Sequence, residues 1–164
     1  MANPLDTHYM QLKCEIRELS RSHARFQMIE RYVQATSDRL RLRIVDCFEI
    51  NRHGEDAVYN PNNLDNKKLL WHGSRFSNFV GILSQGMRIA PPEAPRSGYL
   101  FGKGVYFADL IGKSFHYACP YLSGGIGTFV LCEVALGQSR PLSRPDCYAD
   151  QLPAGYHSTH ALGV

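Results

Sequence analysis

Leu70-Trp71-His72-Gly73-Ser74, Gly102-Lys103-Gly104-Val105-Tyr106-Phe107-Ala108-Asp109 and Lys113-Ser114-Phe115-His116-Tyr117 belong to one run, Leu69 to Tyr117, around which the chain is organised. The first piece ends an apolar strand, Lys68 to His72, on a histidine and a glycine. The second reads as a short inner strand at Val105 to Ala108. The third opens a helix spanning Leu110 to Cys119, with Lys113, Ser114 and Tyr117 three and four apart. Between the first two pieces, Pro91-Pro92-Glu93-Ala94-Pro95-Arg96-Ser97-Gly98 is barred from helix and inner strand by its prolines and is expected as an exposed loop. Strand, loop, strand and helix start in this order lay out a ligand cleft.

Upstream, Leu12, Cys14 and Ile16 alternate with Lys13, Glu15 and Arg17, the period of a half-buried strand. Ser22 is placed to cap a helix through about Thr36, with Phe26, Ile29, Tyr32 and Val33 on its apolar stripe. A second strand is predicted where Leu40, Leu42 and Ile44 alternate with Arg39, Arg41 and Arg43, continuing through Val45, Phe48 and Ile50 to a turn at Asn51-Arg52-His53-Gly54. The three arginines read as a solvated face, since no aromatic residue interleaves with them to stack on bases. Asn60 to Asn66 is polar loop or a short turn. Ser77 is a candidate cap for a helix carrying Phe79, Val80, Ile82 and Leu83 and closing at Gly86. Beyond the turn at Gly124-Gly125, Thr128 to Leu136 is an apolar strand, and Gly137 to Val164 reads as loop-rich. There is no internal repeat, linker or low-complexity tract.

The 164 residues fit one domain. Their 44% hydrophobic and 20% charged content excludes disordered and fibrous classes. A net charge of +3 is too small to argue for nucleic acid. No apolar window is long enough for a membrane span, and the start lacks the apolar core of a signal peptide, so the protein is expected inside the cell. Five cysteines, an odd number without a C-x-x-C pair, read as idle thiols in a reducing compartment.

Among motifs, neither a P-loop nor a Rossmann glycine run is present. His72 is either a core histidine satisfied by the backbone or a ligand-facing one. Gly73 lets a planar ligand approach the main chain, where one N–H and one C=O match a primary carboxamide such as that of nicotinamide. Tyr106 and Tyr117 are either packing aromatics or the two walls of a stacking slot to which Ser114 adds a hydroxyl. His157 and His160 form H-x-x-H without a third ligand in a regular frame, so no metal is expected.

Taken in order, Leu69-Leu70-Trp71-His72-Gly73-Ser74, Gly81-Ile82-Leu83-Ser84-Gln85-Gly86, Arg88-Ile89-Ala90-Pro91-Pro92-Glu93-Ala94-Pro95, Gly98-Tyr99, Phe101 to Asp109 and Glu133-Val134-Ala135-Leu136-Gly137 closely resemble the catalytic domain of the DNA-damage-responsive poly(ADP-ribose) polymerases. The resemblance covers nearly the whole chain. It implies an α+β ADP-ribosyltransferase-type fold, two packed and mainly antiparallel sheets with flanking helices around an NAD cleft. It implies a pentosyltransferase that uses NAD as substrate, without metal, and passes ADP-ribose to protein acceptors or a growing chain in the nucleus.

Carried over by residue, the resemblance implies that His72 bonds the adenine-side ribose and Gly73 pairs with the nicotinamide carboxamide. Ser114 assists at that carboxamide, Tyr117 stacks on the ring and Tyr106 walls the pocket. Lys113 sits beside the reacting centre. Ser74, Asn78 and Arg88 lie towards the adenosine half, and the loop from Ile89 to Tyr99 closes over the dinucleotide. His72 and Tyr106 belong to a His-Tyr-Glu set whose glutamate comes from a later strand. The resemblance reaches Gly155-Tyr156-His157-Ser158 and Leu162-Gly163 and stops at Val164. A single domain over 1–164, incomplete at its C-terminus and weakly active or inactive as it stands, is therefore expected, with a non-catalytic NAD-binding or interaction fragment as the rival. Two further departures are a connection after Thr36 shorter than is usual in the family and the lack of the family's DNA-break-binding modules, so no direct binding of nucleic acid is expected.

Overall fold

The computed structural model describes residues 3–59, 64–89 and 99–163, so most of the proline-rich loop falls outside it. The elements run α1 (Pro4–Gln11), β1 (Cys14–Glu18), α2 (Ala24–Thr36), β2 (Phe48–Arg52), α3 (Glu55–Val58), β3 (Lys67–Ser74), a 3-10 turn at Phe76–Asn78, α4 (Phe79–Gln85), α5 (Ile111–Ala118), a 3-10 turn at Pro120–Leu122, β4 (Thr128–Ala135), β5 (Ser139–Leu142) and β6 (Ser158–Ala161). Helix and strand are mixed, as an α+β fold requires. The described strands pair as three two-stranded sheets, β1 with β2, β3 with β4 and β5 with β6.

By its contacts the chain divides into two compact units, the first built from residues up to 59 with 70–86 and 107–131, the second from the remainder. In the first unit, β1 and β2 are antiparallel, with Cys14 opposite Arg52 and Glu18 opposite Phe48. The expected alternation holds: Cys14 is buried and Ile16 half-buried, while Glu15 and Arg17 face water. α2 buries Phe26 and Val33 as its stripe dictates, but His23 rather than Ser22 is the N-cap, its imidazole accepting from the Arg25 amide. The helix at the N-terminus escaped the sequence reading. Pro4 at its first position and Asn3, which accepts from the Leu5 amide, account for it.

The core of this unit is Val33, Trp71 and Ile111, with Ile29, Tyr32, Leu42, Ile44, Phe129 and Leu131 packed around them. Helix α5 is tied to the end of α2, where Thr36 Oγ1 accepts from the Ile111 amide at 3.4 Å. Tyr32 lies 5.3 Å from Trp71, ring centre to ring centre, and its hydroxyl donates to the Asp109 carbonyl at 3.1 Å. Partial burial, followed by the nearby Asp109 carboxylate, raises the pKa of this phenol above its ordinary 10.0. The native state therefore holds the Tyr32 proton more tightly than the unfolded chain. Its contribution is complete below about pH 10 and lost as pH rises through the raised value. Stability above pH 10 is expected to fall less steeply in Tyr32→Phe than in the parent, as read by urea unfolding at a series of pH values; identical slopes would contradict this.

Two predicted strands form only in part. Of the strand expected from Leu40 to Ile50, Phe48 to Ile50 lie in β2, whereas residues 40–47 belong to no described strand, with Leu42 and Ile44 packed against the core and Arg39, Arg41 and Arg43 exposed. The Arg21 guanidinium meets part of their backbone demand by donating to the carbonyls of Ile44 and Val45. Alternation reported which side is buried; a ladder also needs a neighbour. Val105 to Ala108 makes a single antiparallel bridge, Trp71 to Ala108, rather than a strand. Nor does Ser77 cap α4, which begins from the 3-10 turn without a side-chain cap, although Gly86 closes it at φ 76° as expected.

In the second unit, Gly137 to Leu162 is less irregular than its composition suggests. β5 and β6 run parallel, with Ser139 opposite Ser158 and Leu142 opposite Ala161. Ser139 and Ser158 share a hydroxyl hydrogen bond of 2.7 Å. The His157 imidazole accepts from the Gln138 amide. These strands are four residues long and one contains a proline, so no hydrophobic period announced them. Of the cysteines, Cys14 is buried, and burial raises the thiol pKa of Cys14 and of Cys47. Among the described residues no helix is long and apolar enough to cross a membrane, and no cluster of three His, Cys, Asp or Glu side chains could hold a metal ion.

Candidate active site

β3 is pinned at its apolar centre. Trp71 exchanges both backbone hydrogen bonds with Ala108, at 2.7 and 2.9 Å. The Trp71 carbonyl also accepts the Ser114 hydroxyl from α5 at 3.2 Å. The next two residues, His72 and Gly73, are thereby fixed relative to the start of α5. A Cβ on Gly73 would overlap the backbone oxygen of Ser114. Glycine is needed here because a helix lies against the strand, not because of an unusual φ. This close approach brings the Gly73 main chain beside the buried Ser114 side chain, whose lone pairs remain able to receive an N–H while its proton is directed at Trp71.

The His72 ring is half-buried and meets Phe107 edge-on, 5.9 Å between centres. Lys113 is exposed on α5, and Tyr117, one turn beyond Ser114, keeps 55% of its surface open to solvent. Past the end of β3, the Asn78 amide donates to the Ser74 hydroxyl at 2.9 Å. His72, Gly73, Ser74, Asn78, Lys113, Ser114 and Tyr117 all belong to the first unit.

Arg88, Tyr99 and Tyr106 belong to the second. Arg88 is exposed. The Tyr106 hydroxyl donates to the Gly102 carbonyl at 2.7 Å and accepts from the Phe101 amide at 3.0 Å, so the phenol is bonded into the loop that precedes it. Tyr99 lines a concavity of about 340 Å³ together with Lys103, Cys147, Tyr148, Asp150 and Gln151. The sequence reading missed one neighbour of His72: Phe107 sits in the second motif but carried no sign that it would touch the imidazole.

A strand ending in His-Gly-Ser thus lies against a serine-bearing helix within an α+β framework. The family model for the poly(ADP-ribose) polymerase catalytic domain matches residues 23–164, and the chain belongs to that family. It is 45% identical to poly [ADP-ribose] polymerase of Drosophila melanogaster over 98% of its own length, and 46% identical to poly [ADP-ribose] polymerase 2 of Homo sapiens over the same share. Poly [ADP-ribose] polymerase 1 of Arabidopsis thaliana is 46% identical over 97% of the chain. The chain spans 17%, 28% and 17% of these three proteins.

Proposed function

We propose that this chain binds NAD and serves the transfer of ADP-ribose from NAD to protein acceptors or to a growing ADP-ribose chain. The observation that supports this reading most is the packing of Gly73 on Ser114, which sets a main-chain donor and acceptor beside a buried hydroxyl in a member of this family. A carboxamide is held there in both directions by Gly73 and accepted by Ser114. Tyr117 stacks on the nicotinamide ring. His72 holds the adenine-side ribose, and Ser74 and Asn78 serve the rest of the dinucleotide. Lys113 stands beside the reacting centre.

The glycosidic bond to nicotinamide breaks with the electron pair leaving on the ring nitrogen, which is cationic in NAD and neutral in the product. The ribose carbon passes through an oxocarbenium-like state and is captured by an acceptor oxygen, which loses its proton. A carboxylate beside that cation stabilises it, as in glycoside hydrolysis. By the same family membership we place the protein in the nucleus and in the response to DNA damage; imaging of a tagged protein before and after strand breakage tests both.

Calorimetry of residues 1–164 with NAD and with benzamide, a surrogate for the nicotinamide ring, tests the binding. Heat of binding is expected for both. Ser114→Ala is expected to weaken benzamide roughly tenfold while costing about 1 kcal/mol of stability, the net worth of a buried hydroxyl hydrogen bond. Unchanged affinity would remove Ser114 from the site. Incorporation of labelled NAD by the same polypeptide then separates transfer from binding alone.

A further inference from the structure

His72 and Phe107 face each other because of the pair beside them. Trp71 and Ala108 form an antiparallel bridge and exchange both backbone hydrogen bonds. One step further along β3 and one step back from Ala108, His72 and Phe107 stand opposite one another at a non-hydrogen-bonded position, where side chains across an antiparallel pair come closest. Their ring contact, 5.9 Å between centres with the planes 61° apart, is that cross-strand pair.

The Phe107 side of the pair is held from two directions. Ala108 is tied to β3 through Trp71, which is buried in the core of the first unit. The Asp109 carbonyl accepts the Tyr32 hydroxyl of α2 at 3.1 Å. Phe107 is itself half-buried, and it shares the first unit with His72, Trp71, Ala108, Asp109 and Tyr32. Its ring therefore stands on a fixed backbone. The terminal torsion of a histidine, by contrast, has a broad minimum, so an imidazole takes its plane from what it packs against. An edge-on aromatic neighbour favours one mutual orientation of the two rings.

We infer that Phe107 is a positioning residue for His72, holding the plane of the imidazole so that a ring nitrogen meets a ribose hydroxyl of the adenosine half of NAD. The inference rests on the reading of His72 as the holder of the adenine-side ribose. Phe107 touches no ligand in this account. Its aromatic ring, rather than its apolar bulk, sets the angle, so leucine at this position loses the effect and tyrosine keeps it.

ADP carries the adenine-side ribose without nicotinamide, and its affinity for the full chain, read by NMR titration, tests this beside benzamide calorimetry. Phe107→Leu is expected to move the His72 ring-proton resonances and to weaken ADP about threefold, the share an edge-on ring pair supplies, with benzamide staying within about twofold. Phe107→Tyr is expected to stay within about twofold of the parent for both ligands. His72→Ala is expected to weaken ADP roughly tenfold, and adding Phe107→Leu to it to change nothing further. Equal losses of ADP and benzamide in Phe107→Leu, or the same loss of ADP with and without His72, would mark a general disturbance of β3 and overturn the inference. Equal losses of ADP in the leucine and tyrosine variants would overturn the role of the ring. Unchanged ADP affinity in Phe107→Leu alongside a large effect of His72→Ala would overturn the positioning while leaving His72 at the ribose. No effect of His72→Ala would overturn the ribose reading and the inference with it. Should Phe107→Leu fail to fold, Phe107→Met takes its place, with the same outcomes deciding.

Discussion

Gly73→Ala is expected to abolish binding of the nicotinamide ring and to destabilise the chain by several kcal/mol. Ordinarily a strand glycine replaced by alanine gains a little stability, because the unfolded chain loses freedom. Here the sign reverses, since the added methyl meets the Ser114 carbonyl oxygen. That oxygen belongs to the backbone of α5, so no change of side chain at position 114 relieves the overlap. Either β3 or α5 must shift, and overpacking of this kind costs about 1–3 kcal/mol even where side chains can yield. The same shift separates the Gly73 main chain from the Ser114 hydroxyl, so stability and affinity fall together. Urea unfolding and benzamide calorimetry on one variant read both. An alanine variant with the parent's midpoint and affinity would show that the close packing is unnecessary.

Trp71→Ala is expected to cost about 3–5 kcal/mol, the range for emptying a large aromatic site in a core. Trp71 is 4% exposed and packs with Val33 and Ile111 in the first unit's core. Against a total stability of about 5–15 kcal/mol for a domain, this is a large share. The consequence for function is direct, because His72 and Gly73 follow Trp71 on β3 and lose their support with it. Trp71→Phe separates volume from polarity. The Trp71 Nε1 is buried with no hydrogen-bond partner among the described residues, so removing it relieves a desolvated donor while leaving a smaller void. The phenylalanine variant is expected within about 1.5 kcal/mol of the parent in thermal unfolding. Equal losses in both variants would refute the packing account.

Much of the candidate site was legible because its residues are close in the chain. His72, Gly73 and Ser74 are consecutive on a strand whose apolar run announces it, and Lys113, Ser114 and Tyr117 share a helix at recognisable spacing. The stripe of α2 and the close of α4 at Gly86 were legible for the same reason, since helical period and a positive φ are local properties. Less legible were features that depend on a distant neighbour. The stretch from Arg39 to Ile44 has the side-chain alternation of a strand, but the sequence does not say whether another strand lies beside it. β5 and β6 have no hydrophobic period and are recognisable only as a pair, through serine hydroxyls and main-chain bonds.

The sequence alone determined the family and the α+β mixture, because each is carried by local order along the chain. For Gly73 the fold supplies a reason of its own, the backbone of α5 lying where a Cβ would be. What only the tertiary structure decided is which atoms meet: Ser114 directing its proton at the Trp71 carbonyl, α5 lying where a Gly73 side chain would be, and Phe107 standing edge-on to His72. These depend on how elements pack once water is excluded between them. Contacts of that kind join residues tens of positions apart, and no period or motif within either segment records them.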